Sequence, residues 1–334
     1  MKLERFSALD AKVLDFLNQY SNNFFCSKPW LHALQEGFKR PVVCYALMEG
    51  ETILLALPGI WLDFKIAAIY HSNIPYGGFV GEKKFIPKFL ELFEPGARKA
   101  GIHQVRITKT IFDDYPPPEG YRPQMGHQHV VNVEGMTHES LWAGYKKRVR
   151  RDIRKAEKSG VSLEEVKTPE QVDKILEIYL ETMKRNHAVV NWNRRILRIF
   201  LEELFPQGHG KGYFAKKGGE YVAVIVLFFS KEIVHFLIGG SKAEYWEFCP
   251  NDFLIHHGIS EAIERGKKYF DFMQSRMGDQ DLMAFKDKWG AENHPFTIYE
   301  KDINPLRAKI WRKTWKIANT KIISSLLNLW VSRG

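Results

Sequence analysis

A chain of 334 residues with 45% hydrophobic and 26% charged content carries enough apolar material for two cores of ordinary size, which excludes a disordered protein. Its longest apolar run, nine residues from Tyr221 to Phe229, is far short of a membrane span, and the opening MKLERFSALD is too polar for a signal peptide. The net charge of +10 favours anionic partners; Cys26, Cys44 and Cys249 show no paired or metal-type spacing, so reduced thiols, a cytoplasmic setting and no metal are expected.

In chain order, residues 8–20 and 29–37 have helical apolar spacing. Three strand-like runs follow, VVCYALM, TILLALPGIWL and IAAIY, the first two joined by the polar turn Glu49-Gly50-Glu51. Asn73, Tyr76 and Gly77 close this meander in HSNIPYGGFVG. Glycines at a strand end permit close approach of a ligand, so the three are candidate acceptor-binding residues between two domains; a tight turn is the structural alternative. Residues 84–100 read as a helix, HQVRIT as a strand, Asp113 to Gly120 as a loop and HVVNV as another strand.

The second half repeats the order. Helical patterns at 169–186 and 193–204 precede a second meander, YFAKKGGEYVAVIVLFFSKEIVHFLIGG, then a helix (251–265) and a strand (269–272). Two copies of helices, meander, helix and strand predict duplicated α/β domains with mixed α+β sheets, divided as 1–137, 138–303 and a C-terminal helix 304–334; the alternative is one large α+β domain. His138 to Ser159 reads as one helix at the join. On it Lys147, Arg151, Arg154 and Lys158 are spaced four, three and four, which makes a single basic stripe. Between 146 and 158, eight Lys/Arg face only Asp152 and Glu157, too few acids for salt-bridging along the helix, so the stripe is a candidate phosphate-binding face.

The stretch from Gly239 to Glu300 holds the remaining candidates. Asp271 is one carboxylate inside the apolar run Tyr269–Phe272, and Lys286 lies on the short helix that follows; the pair is either a site or a structural ion pair. An Asp buried there must be paired. Lys286 suits either a developing oxyanion or a terminal phosphate, Phe285 can stack on a base, and Asp271 can orient an amine or Lys286. Gly239, Gly240, Tyr245, Asn251, Ser275 and Arg276 complete the candidate donor-binding set. A coenzyme A pyrophosphate loop, Gln/Arg-x-x-Gly-x-Gly/Ala, is missing after Phe236-Leu237-Ile238, and Glu244 and Glu247 would repel a pyrophosphate. Gly208-His209-Gly210-Lys211-Gly212 lacks the Ser/Thr of a phosphate loop, and His127 with His129 has no third metal ligand nearby.

The runs PNDFLIHHGISEAIERGKKYFDF and LMAFKDKWGAE resemble the second half of the Fem-type transferases, and the basic helix closed by Gly160 resembles the segment that opens their second domain. That family has tandem acyl-CoA N-acyltransferase (GNAT)-like domains and moves an amino acid from aminoacyl-tRNA onto an amine of a peptidoglycan precursor. The resemblance implies this fold, maps the family's FK-x-K/R-[WF]-G motif onto Phe285 and Lys286, and implies no tightly bound cofactor. It makes aminoacyl-tRNA the co-substrate, with acyl-CoA as the alternative donor, and an amine-bearing envelope precursor the acceptor; DNA is not an expected partner. The chain lacks the long helical hairpin of the staphylococcal-type enzymes. Residues 303–334, with seven Lys/Arg, no acid after Asp302 and an apolar stripe through Trp311, Trp315, Ala318, Ile322, Leu326 and Leu329, read either as a helix on an anionic membrane surface, peripheral on the inner face of the cytoplasmic membrane, or as one packed on domain two. A non-catalytic RNA- or membrane-binding protein on the same fold is the third hypothesis.

Overall fold

The computed structural model describes residues 1–186, 188 and 190–318. The chain forms two compact units, Met1–Gly126 with Pro295–Ile317 and, separately, His127–His294. These divisions fall at 126/127 and 294/295, where the sequence reading places them at 137/138 and 303/304.

The first unit begins with β1 (Lys2–Ser7), α1 (Ala11–Tyr20) and α2 (Lys28–Phe38). Asp10 caps α1 by accepting from the N–H groups of Lys12 and Val13, and Val13, Leu14, Phe16 and Leu17 form its buried side. The meander is β2 (Val42–Glu49), β3 (Thr52–Asp63) and β4 (Ala68–Ser72), with Gly50 in the left-handed conformation at the first turn. A two-residue strand β5 (Val80–Gly81), α3 (Ile86–Lys99) and β6 (Gln104–Lys109) follow. Because α3 carries the chain back over the sheet, β6 pairs parallel to β4, through Ile69–Ser72 and Gln104–Ile107. The core holds Tyr45, Tyr70, Phe89, Phe93 and Tyr115.

The second unit is entered along β7 (Arg122–Asn132). The single helix expected over 138–159 is two, α4 (His138–Gly144) and α5 (Lys147–Lys158), because Tyr145 and Lys146 are extended at ψ 140 and 148. The cause is tertiary. Tyr145 is buried, its hydroxyl 3.2 Å from His256 Nδ1 and its ring edge-on to Trp289. A short polar strand β8 (Ser162–Glu165), α6 (Gln171–Arg185) and α7 (Arg194–Ile199) lead into the second meander, β9 (Gly210–Lys217), β10 (Glu220–Phe229) and β11 (Ile233–Ser241). The crossover helix α8 (Pro250–Glu264) opens on Pro250, which needs no N–H there, and is followed by β12 (Tyr269–Arg276), parallel to β11. Next come α9 (Gln280–Asp287) and β13 (Glu292–Asp302). The strand order is β7-β12-β11-β10-β9-β8.

Through β13 the chain returns to the first unit, where Thr297–Asp302 pairs with β6 to complete the order β1-β2-β3-β4-β6-β13. Each unit is therefore a meander, a parallel crossover strand and a sixth strand supplied from across the chain. This is the duplicated, mixed α/β architecture expected. The last described helix, α10 (Pro305–Ala318), packs on the first unit, where one of the two readings of this segment places it on domain two: Trp311 is buried with Ala67 and Ile69 and stacks on Phe64, and Arg312 pairs with Asp302 at 2.6 Å. Ile322, Leu326 and Leu329 of the expected stripe lie outside the described residues.

Candidate active site

The parallel pairing of β11 with β12 covers only Ile233–His235 and Tyr269–Asp271, although β11 runs on to Ser241 and β12 to Arg276. Past His235 the two strands part, and the candidate residues gather at this opening. Lys242 donates its N–H to Val222 O on β10, so strand alternation turns the N–H groups of Gly239 and Ser241 toward the edge β12 no longer covers. Ser241 N–H is taken by Thr182 Oγ1 at 3.0 Å, which leaves Gly239 N–H as the backbone donor aimed at the opening. A Cβ on Gly239 would meet the Phe236 ring at 2.2 Å, and one on Gly240 would meet Thr182 Oγ1 at 2.9 Å, so packing alone requires both glycines.

Lys286 is 3% exposed, near the far end of β12. Its ammonium donates to Met273 O (2.9 Å), Gln274 O (3.3 Å) and Ser275 Oγ (2.7 Å), which uses all three of its protons. No carboxylate lies within ion-pair distance of it among the described residues. Burial lowers its pKa to about 8, against the opposing pull of the Asp271 and Asp279 charges. Such a group is charged at neutral pH and poised to lose that charge just above it.

Asp271 is fully buried and is paired, as its burial demands, but not with Lys286. Its carboxylate lies 2.9 Å from His235 Nδ1, 3.2 Å from Gln128 Nε2 and 2.9 Å from Met273 N. Neither His235 nor Gln128 is among the sequence candidates. The available signal was a single polar residue interrupting each apolar strand, His235 in IVHFLI and Asp271 in YFDF, at positions that pair directly.

The loop after β11 is tied at Ser241, a third residue absent from the sequence candidates. Its hydroxyl accepts from Asn251 Nδ2 (2.8 Å) and Trp246 Nε1 (2.9 Å), and its carbonyl accepts from Arg185 (3.1 Å), whose guanidinium also lies 4.6 Å from the Trp246 ring. Asn251 is thus a tether at the start of α8, while Tyr245 sits half-buried in the turn Ala243–Phe248. Phe285 packs against the core with the Lys288 ammonium 4.7 Å from its ring, and Lys288 pairs with Asp252. Ser275 is buried under Lys286, and Arg276 ends β12. His127 contacts Asn293, while buried His129 has Nε2 3.2 Å from Asp287 Oδ1, so the two histidines serve different partners. Burial, and then the Lys286 charge, lower the His129 pKa.

On α5, Lys147, Arg151, Arg154 and Lys158 are all exposed. Arg151 is engaged by Asp152 at 2.8 Å and Arg154 lies over Trp142 at 5.1 Å; Lys147, Arg154 and Lys158 have no acidic partner among the described residues. The helix begins with Lys146, Lys147 and Arg148 and no capping side chain, so cations crowd its positive end. Asn73, Tyr76 and Gly77 are placed differently from the expected acceptor surface. Asn73 is 0% and Tyr76 2% exposed, Asn73 Nδ2 donates to Phe25 O (2.7 Å), Gly77 N–H donates to Thr108 Oγ1 (2.9 Å), and the three form a buried turn of the first unit.

An acetyltransferase (GNAT) domain model matches residues 143–287, which contain α5, the opening and Lys286. No curated protein matches the sequence. Among solved structures, FemX has a TM-score of 0.63 at 13% identity and covers 96% of this chain and 100% of its own. L-PGS of Bacillus licheniformis gives 0.59 at 13% (94% and 98% covered), and a tandem GNAT protein from the clavulanic acid biosynthesis pathway 0.59 at 12% (91% and 99%). At such identities the likeness is one of fold. Residues 143–287 thus carry an acetyltransferase (GNAT) domain, which makes the protein an acyltransferase, and the chain as a whole shares its fold with FemX and the tandem GNAT protein.

Proposed function

We propose that this acyltransferase takes an aminoacyl group from aminoacyl-tRNA and places it on an amine of a cell-envelope precursor. The carrying observation is the exposed cationic face of α5, in the same unit as the strand opening and Lys286, with three of its four stripe residues lacking an acidic partner among the described residues. A coenzyme A phosphate needs far less than a helix-long face; a tRNA backbone presents phosphates along such a length. Lys286, charged at neutral pH with its three protons held by neutral acceptors, acts through its field and not as a donor: its buried positive charge favours the negative carbonyl oxygen that forms on the donor ester as the acceptor amine attacks, while Gly239 N–H is the donor aimed at that edge. The amine nitrogen forms the new C–N bond, the ester C–O bond breaks with its electron pair going to the ribose oxygen, and the proton the amine loses passes to that oxygen, giving an amide and a free ribose hydroxyl.

A membrane-proximal acceptor completes the reading. Leu306 (69% exposed) and Ile310 (41%) stand on the outer side of α10, interleaved with Arg307, Lys309 and Lys313, a pattern that favours an anionic bilayer surface. No helix among the described residues is long and apolar enough to cross a membrane.

The test is a side-by-side titration with charged total tRNA and acetyl-CoA at two salt concentrations. Saturable tRNA binding that weakens steeply with salt, and is lost when Arg154 and Lys158 are changed to Glu, supports the aminoacyl donor. Tight acetyl-CoA binding without tRNA binding overturns it and leaves acyl-CoA as donor; binding of neither points to a non-catalytic protein.

A further inference from the structure

We infer that His235 is a positioning residue for Lys286, acting through Asp271 and the backbone of Met273, and that Gln128 shares this role. The chain of contacts is continuous. Ser230 Oγ lies 2.8 Å from His235 Nε2, His235 Nδ1 lies 2.9 Å from Asp271 Oδ2, Asp271 Oδ1 accepts from Met273 N at 2.9 Å, and Met273 O accepts from Lys286 at 2.9 Å. The His235 ring is thus held at both nitrogens, by the Asp271 carboxylate at Nδ1 and by the Ser230 hydroxyl at Nε2. Gln128 donates to the same Asp271 oxygen as Met273 does, at 3.2 Å.

The pivotal residue is Met273. Its φ of +62 is left-handed, a conformation that a side-chain-bearing residue adopts only when its surroundings hold it there. The bond from its N–H back to Asp271, two residues earlier, is the holding contact, of the kind by which an Asp side chain stabilises a turn. That turn breaks the regular course of β12 and brings two successive carbonyls, of Met273 and Gln274, together with Ser275 Oγ onto one ammonium. A regular strand sends successive carbonyls to opposite edges, so the three-acceptor seat of Lys286 exists because the strand is kinked. Asp271 holds the kink through the oxygen it presents to Met273 N, and His235 and Gln128 fix the buried carboxylate in that orientation. His235 is in turn aligned with Asp271 by the short parallel pairing of β11 and β12. Ser230, His235 and Asp271 have the composition of a hydrolytic triad, but all three are buried and the carboxylate is committed to the backbone of β12, so the arrangement positions and does not attack.

The inference deepens the proposed function, in which Lys286 is the working cation, yet its test needs no substrate. Lys286 is titrated in the folded protein across pH 6–11 through the ¹³Cε shift of ¹³C-lysine-labelled protein, its resonance identified by its loss in Lys286→Met. The charges facing Lys286 are Asp271 on β12, Asp279 before α9 and the neighbouring His129 on β7, and only the first is altered by the variants. In the wild type the titration midpoint lies near pH 8. In His235→Leu the kink relaxes, Lys286 turns toward solvent, and the midpoint rises by at least one pH unit. In His235→Asn, whose amide takes the place of Nδ1 against Asp271, it stays near the wild-type position. Asp271→Asn keeps an acceptor for Met273 N but removes the charge that raises Lys286, so its midpoint falls. A folded His235→Leu protein with an unmoved midpoint overturns the inference even if the enzyme proves tRNA-dependent. Should His235→Leu fail to fold, Gln128→Leu takes its place under the same criterion. A moved midpoint with no tRNA binding leaves the positioning intact and removes only the donor assignment.

Discussion

Each unit brings one strand back parallel to the last strand of its meander, and what happens beyond the last shared rung differs. In the first unit β4 stops at Ser72, and the chain turns through Asn73 and crosses to β6. Ser72 Oγ accepts from Thr108 N (3.0 Å) and donates to Gly77 O (2.6 Å), while Gly77 N donates to Thr108 Oγ1. Tyr76 is packed beneath, edge-on to Phe25, and Trp30 Nε1 bonds Ile74 O at 2.7 Å. The place where the strands would part is stitched by the chain itself. In the second unit β11 continues to Ser241 without β12 beside it, Gly239 turns its N–H to the vacant edge, and the partner strand kinks at Met273 to seat a lysine. One supersecondary plan thus yields a buried knot that stabilises and an opening that is available for chemistry. Polar side chains decide which: Ser72 and Thr108 satisfy backbone groups of their own loop, whereas Asp271 and His235 hold a strand away from regularity.

The comparison breaks if the second unit's opening does not carry the reaction, and the largest expected effect is there. Lys286→Met lowers the rate of acyl transfer by ~10²–10³-fold, the cost of removing one oxyanion-stabilising group, with the circular dichroism spectrum unchanged. Tyr76→Ala in the first unit acts on stability, lowering it by ~3–5 kcal/mol in a denaturant titration, as expected for truncating a buried aromatic. Thr108→Val leaves Gly77 N–H without its acceptor and costs ~1–3 kcal/mol, while the protein that remains folded transfers at the normal rate. A large loss of rate in folded Thr108→Val would show that the knot is part of the working site.

The pH dependence of Lys286→Met sharpens the same contrast. In the folded wild type Lys286 releases its proton at about 8, in the unfolded chain at 10.5. Between those values the unfolded state holds more protons, so wild-type stability rises with pH across that window, and below it the full penalty of a buried charge is present. Measured against Lys286→Met, the wild type therefore gains ~3 kcal/mol as pH rises from 7 to above 10.5. Titrations shared by both proteins cancel in the difference, and parallel stability curves would show that Lys286 is solvated.

How much of this was legible follows from how local each signal is. The meanders were, because alternating apolar runs and glycine turns at Gly50 and Gly218 are written within a few residues. The break at Tyr145 was not, since the residue that draws it into the core, His256, is 111 positions away. The edge strand Ser162–Glu165 is polar and carries no apolar alternation to reveal it. Lys286 and Asp271 were legible as a motif and an anomaly, but not as residues linked through Met273, because nothing in YFDFMQSR marks a left-handed methionine, and the His235 that faces Asp271 is set by the register of a parallel pair across α8. The loop of Asn73, Tyr76 and Gly77 has the glycines of a ligand site. Only Thr108, Ser72 and Phe25, brought in by the fold, identify it as a turn that binds its own backbone.

The smallest expected effect concerns α10, whose two sides have opposite fates. Trp311 faces inward onto Phe64 and Ile69, whereas Leu306 and Ile310 face outward among cations. Leu306→Glu with Ile310→Glu removes exposed apolar surface and so changes stability by no more than about 0.5 kcal/mol. On vesicles of phosphatidylglycerol and phosphatidylcholine the same pair lowers partitioning several-fold, since two side chains lose their apolar gain and two negative charges meet an anionic surface. Salt separates these two causes. Screening weakens the charge contribution and leaves the apolar one, so the gap between wild type and variant narrows at high ionic strength but does not close. A gap that closes fully would mean that α10 meets the bilayer through its lysines and arginines alone, with Leu306 and Ile310 outside the contact.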